Sequence, residues 1–168
     1  MQRRSFLNFG LAATAVIAVA GGGLALLHPG LEEGHMTASA KAVFKAVARG
    51  VLQGVLPAEH TAQEAALAAH LVRLDDTLAA FPCATQSELS QLIALIASAP
   101  GRSTIVGLHS DWDAASDADI QAAMQDMRHS SLAMRQQIFH ALRDLTNAAY
   151  FADPQAWTSL GYPGPLAI

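Results

Sequence analysis

The stretch ASAKAVFKAVARGVLQGVL, Ala38 to Leu56, decides the fold. Phe44, Val47, Val51 and Val55 recur every three or four residues, with Val43 and Leu52 beside them, and this spacing lines up one face of an α-helix. Alanine is the commonest of the remaining residues. It has the best intrinsic helix propensity and takes little room, so the segment predicts a helix that neighbours approach closely. Thr37 is placed to cap its start, and Pro57, which lacks an N–H, to end it.

The same pattern continues downstream. Thr61 is placed to cap a second helix with a Leu67, Leu71, Leu74 and Leu78 stripe, closed by Phe81 and Pro82; Asp75 and Asp76 read as its solvated face. Thr85 with Glu88 three residues on reads as a capping box, and Leu89, Leu92, Ile93 and Ile96 carry that third helix to Pro100. Residues 101–112 are the least regular part. Ser116 is placed to cap a fourth helix, with Asp117 and Asp119 at its positive end. After a break near His129 and Ser130, Met134, Ile138, Leu142, Leu145 and Ala149 mark the longest helix, ending near Tyr150 and Phe151. The expectation is an all-α fold, a small antiparallel bundle over residues 38–152.

Composition agrees with that class. Of 168 residues 52% are hydrophobic but only 6% aromatic, so the core must come mainly from Ala, Leu, Ile and Val. A formal charge of -4 with scattered arginines argues against nucleic acid as a partner. A lone cysteine, Cys83, permits no internal disulfide; it is either a buried or tolerated thiol or a bridge to another chain.

Residues 1–30 read as a targeting segment. Arg3 and Arg4 stand before Ser5, Phe6 and Leu7, and an apolar run of 19 residues extends from Phe9 to Leu27. This matches the twin-arginine export pattern, a paired cationic head recognised by the translocon's receptor ahead of a moderately apolar helix; the alternative is an ordinary secretory signal or an N-terminal anchor with a chance Arg pair. The run is long enough to span a bilayer, so it is either a cleaved signal or a retained anchor. Pro29 and Gly30 break it, and residues 31–37 read as a linker. The expected location is the periplasm, free or anchored at the inner membrane. That route accepts folded cargo, so its clients often gain a cofactor or partner before export.

Catalytic constellations are sought and not found. There is no Cys-x-x-Cys-His, no Gly-x-Gly-x-x-Gly, no Walker loop and no His-Glu-x-x-His. No two of the seven histidines share a predicted helix at a spacing of three or four, so no metal ligand set is expected. His109, Ser110 and Asp111 are neighbours, but triads are set by spatial geometry, and a polar loop over a buried Trp112 is the simpler reading. No catalytic residue is assigned.

The most distinctive segment runs from Asn147 to Pro165. A helix ends at Tyr150 and Phe151, Asp153 and Pro154 start a turn expected to bury Trp157, and residues 153–168 continue as an aromatic, Pro-rich tail. Gly161, Tyr162, Pro163, Gly164 and Pro165 suit neither helix nor a central strand. Such a tail either lies in a partner's groove or packs on its own bundle.

With these motifs the chain resembles the small, or gamma, subunit of periplasmic flavin-dependent dehydrogenases, the gluconate 2-dehydrogenase subunit 3-like family. The resemblance rests on the twin-arginine start, on the helix running into Val55, Leu56 and Pro57, and on Tyr150, Phe151, Asp153, Pro154, Trp157 and Gly161 to Pro165. It implies a non-catalytic subunit whose signal carries a folded large flavoprotein, a GMC oxidoreductase, through the translocon and which acts as its chaperone. FAD would then lie in the large subunit, with electrons leaving through a cytochrome c subunit, and Tyr150, Phe151, Trp157 and Gly161 to Pro165 would face the partner. The competing reading is a membrane-tethered helical binding or scaffold protein of the cell envelope.

One prediction follows from the first residues alone. Replacing Arg3 and Arg4 with lysines should leave the protein in the cytoplasm, as read by fractionation of a tagged chain; unchanged export would mean another route.

Overall fold

The computed structural model describes residues 28–158 and 160–164. Among these the fold is all-α apart from one small hairpin. Strands β1 (Leu31–Glu32) and β2 (His35–Met36) are followed by α1 (Ala38–Val51), α2 (His60–Ala79), α3 (Cys83–Ala97) and the short α4 (Ala99–Gly101). A π-helical turn, Arg102–Val106, leads on to α5 (Asp117–Arg128), α6 (Ala133–Phe151) and α7 (Pro154–Thr158). Arg3, Arg4, Phe6 and Leu7 lie outside the described residues.

Helix α1 is central. It packs against α2, α3, α5 and α6, and α6 also packs on α2 and α5. Four neighbours around one helix leave little of its surface to solvent, and Ala40, Val43, Phe44, Ala46, Val47 and Ala48 are all buried. Small side chains permit this, because an alanine face lets a second helix come close without voids. Gly50 is the extreme case: a Cβ there would come within 2.6 Å of the Ile120 Cγ2 on α5.

The capping residues differ in part from those read along the chain. Thr37 caps α1 and Ser116 caps α5, each accepting a hydrogen bond from an N–H in the first turn. Helix α2 is capped by Glu59 instead of Thr61, because one carboxylate there accepts from both Thr61 N (2.8 Å) and Ala62 N (2.6 Å). Those backbone bonds also hold the Glu59 carboxyl below its ordinary pKa. Helix α3 starts directly after Pro82, which places Thr85 inside the first turn and removes the capping box. Helix α1 stops at Val51, five residues before Leu56. Gly54 takes a left-handed φ of 81° and turns Val55 and Leu56 out of the helix.

The expected linker is also structured. Leu31 pairs with Met36 and Glu32 with His35 around a two-residue turn in which Glu33 (φ 52°) and Gly34 (φ 86°) both have left-handed backbone. Positive φ at both central residues matches the twist of a tight hairpin. Leu31 and Met36 are buried. Two side chains on neighbouring helices hold the hairpin. The Ser90 hydroxyl of α3 accepts from Leu31 N at 3.0 Å and donates to Leu31 O at 3.3 Å. On α2, Asp75 accepts from Met36 N (2.5 Å) and contacts His35 Nδ1 (2.9 Å), so it is a docking residue and not merely part of a solvated face. Burial raises the Asp75 pKa, but these two bonds outweigh it and the net direction is down.

Two substitutions check this account by chemical denaturation. Gly50→Ala improves helix propensity by about 1 kcal/mol, yet the contact with Ile120 should dominate and destabilise the protein by about 1–3 kcal/mol. Asp75→Ala leaves a half-buried N–H unpartnered and should cost about 1–3 kcal/mol, with increased proteolysis at the hairpin.

Candidate functional site

The residues singled out near the C-terminus come together at one end of the molecule. Tyr150, on the last turn of α6, is buried in a small cluster with Ala48, Leu52, Leu67 and Ala156, flanked by Val51, Val55, Leu56 and Phe151. This cluster is separate from the main core. The Tyr150 ring meets Phe151 edge-on at 5.3 Å between centroids, and burial raises its phenol pKa.

Arg73 of α2 secures this end. Its Nε donates to Ala149 O (3.0 Å), an otherwise open carbonyl in the last turn of α6, and its Nη1 pairs with Asp153 at 3.1 Å. The same Asp153 accepts from Gln155 N at 2.9 Å and so starts α7. One ion pair thus ties α2 to the α6–α7 corner.

Trp157 is half-buried on α7, less than the sequence suggested; its Nε1 donates to Phe151 O at 2.8 Å. The chain then turns back. Tyr162 N donates to Trp157 O (3.1 Å), and the two rings meet at 5.4 Å and 62°. Gly161 (φ 66°) and Gly164 (φ 97°) provide the left-handed backbone this turn requires, and Gly164 lies against the Trp157 ring. Within the described residues the segment is therefore a folded aromatic turn. Pro163 is exposed, and Pro165 lies beyond the described residues. Leu160 and Tyr162 are 56% and 51% exposed, two of the few large hydrophobic residues presented to solvent.

The loop around His109 has a different character. Asp111 pairs with Arg102 at 2.7 Å, and Trp112 is buried with its N–H on Ile96 O at 3.1 Å. Neither the His109 ring nor the Ser110 hydroxyl makes a hydrogen bond among the described residues. They line an open hollow of about 460 Å³ with Asp119 and Asp126, and Asp126 is taken by Arg135 at 2.6 Å. No Ser–His–Asp relay is assembled there. Among the described residues no group of three or more His, Cys, Asp or Glu is placed to hold a metal ion, and no helix is long and apolar enough to cross a membrane. Cys83 is exposed at the first position of α3, not buried.

One residue escaped the sequence reading. His70 is fully buried on α2, and neither ring nitrogen has a hydrogen-bond partner among the described residues. Its ring lies 6.1 Å from that of Tyr150. Thr146, one turn before Tyr150 on α6, is likewise buried with an unpartnered hydroxyl. The signal was present in the spacing: Leu67, His70, Leu74 and Leu78 form the buried face, whereas Leu71 is only partly covered. Burial first, and then the Arg73 charge, lower the His70 pKa to about 4.

No family model, curated protein or solved structure matches this chain.

His70 leads to a pH prediction. In the unfolded chain it titrates near 6.5, so between about 6.5 and 4 the unfolded state binds the extra proton, and stability falls as pH drops through that window. The loss should total about 3 kcal/mol. His70→Leu should remove that component and raise stability at pH 5, measured by urea titration at several pH values.

Proposed function

We propose that this chain is the non-catalytic small subunit of a periplasmic flavin-dependent dehydrogenase, escorting the FAD-loaded large subunit through the twin-arginine translocon and stabilising it afterwards. The observation that carries the reading is the aromatic C-terminal turn. The described part of the C-terminal motif, Tyr150 to Gly164, forms one feature, with Tyr150 as a buried support, Trp157 half-covered, and Leu160 and Tyr162 turned to solvent. Clustered aromatic side chains on a rigid support favour association, since little side-chain entropy is lost on binding. In this reading Phe151, Trp157 and Tyr162 meet the large subunit. FAD belongs to the partner, and a cytochrome c subunit accepts its electrons.

The test is purification of the tagged chain from the envelope of its native host. A stoichiometric large subunit with a flavin absorbance spectrum is the expected result. The Trp157→Ala/Tyr162→Ala variant should lose that subunit while keeping its helical circular dichroism. A colourless chain purified alone would overturn the proposal, and its retention in the membrane fraction would favour the tethered scaffold.

A further inference from the structure

We infer that the groove between α1, α5 and α6 is a second contact for that large subunit and receives an acidic, amphipathic helix from it; the inference rests on the escort reading. The groove encloses about 550 Å³ and lies open to solvent. Its apolar floor includes Val51, Met124 and Phe139, and its polar residues include Arg128 and Arg143. No carboxylate lines it, in a chain whose net charge is -4.

The two arginines are not equivalent. Arg143 lies over the Phe139 ring, 5.4 Å from its centroid, and is forked onto the adjacent Asp144 at 2.9 and 2.7 Å. Arg128 makes no ion pair or hydrogen bond among the described residues. Every other described arginine, at positions 49, 73, 102, 135 and 143, has a carboxylate partner. The position of Arg128 at the end of α5 favours a cation through the helix dipole. That does not account for the hollow beside it, at whose base Met124 and Phe139 are buried and Val51 is partly exposed.

Charge and shape together select the occupant. One unanswered cation, Arg128, beside a partly apolar hollow fits a segment with a carboxylate beside aliphatic side chains. The open form suits a helix better than a small acid, which would need convergent donors in an enclosed pocket. Of the two glutamines that line the groove, Gln121 is already directed to Gln53 and to Gly50 O, which leaves Gln125 as a neutral donor. The groove also adjoins the aromatic turn. Val51 lines it and packs against both the main core and the Tyr150 cluster, so one partner can cover both surfaces.

The experiment measures the affinity of the native large subunit for the full chain at low and high salt. Arg128→Glu should weaken binding about tenfold at low salt, with the difference shrinking as salt screens the charge. Arg128→Lys should retain most of the affinity. An Arg128→Glu variant that binds like the native chain at all salt concentrations overturns the groove inference and leaves the escort reading intact. So does a weakening that accompanies a lowered melting temperature, since it would mark a structural role. If the native chain binds no flavoprotein, both fall.

Discussion

The close approach of α5 to α1 at Gly50 is the constraint on which the other helices depend. With α2, α3, α5 and α6 all packed on α1, its girth sets the spacing of the whole assembly, and 2.6 Å between a hypothetical Cβ and Ile120 leaves no room for a side chain. Most of the α1 face is alanine or valine, so the contact is dense while each residue buries only modest area. Such a core gains its stability from many small contacts and is correspondingly sensitive to added volume.

The second constraint is polar. Arg73 joins α2 to the last turn of α6 and to the start of α7 through Ala149 O and Asp153. It therefore positions Tyr150 and Trp157 together, near a buried His70 that has no hydrogen-bond partner among the described residues. An unpartnered buried imidazole costs stability that leucine at the same place would not. Acid sensitivity and the aromatic end of the molecule are linked through this one helix interface.

Arginines elsewhere act as struts for irregular backbone. Arg135 donates to Ile105 O at 2.6 Å and pairs with Asp126, and Arg102 pairs with Asp111, so the π-helical turn and the loop after it are tied down from two sides. Arg128 stands apart because nothing within the described residues answers its charge.

The sequence by itself determined the helical class, the α5 cap at Ser116, the break before α6 and the burial of Trp112, because apolar spacing and capping chemistry are local properties. Only the tertiary structure decided the rest. Whether Asp75 faces water or receives a hairpin depends on what α2 meets across space, and the hairpin itself rests on two positive φ angles and on Ser90, 59 positions from Leu31. The same is true of His70, whose place in the apolar stripe is visible in its spacing but whose burial without a hydrogen-bond partner among the described residues depends on α6. Trp157 was legible as the centre of the C-terminal motif. Its half-exposed state was not, because that is set by the turn that returns Tyr162 and Gly164 to its ring.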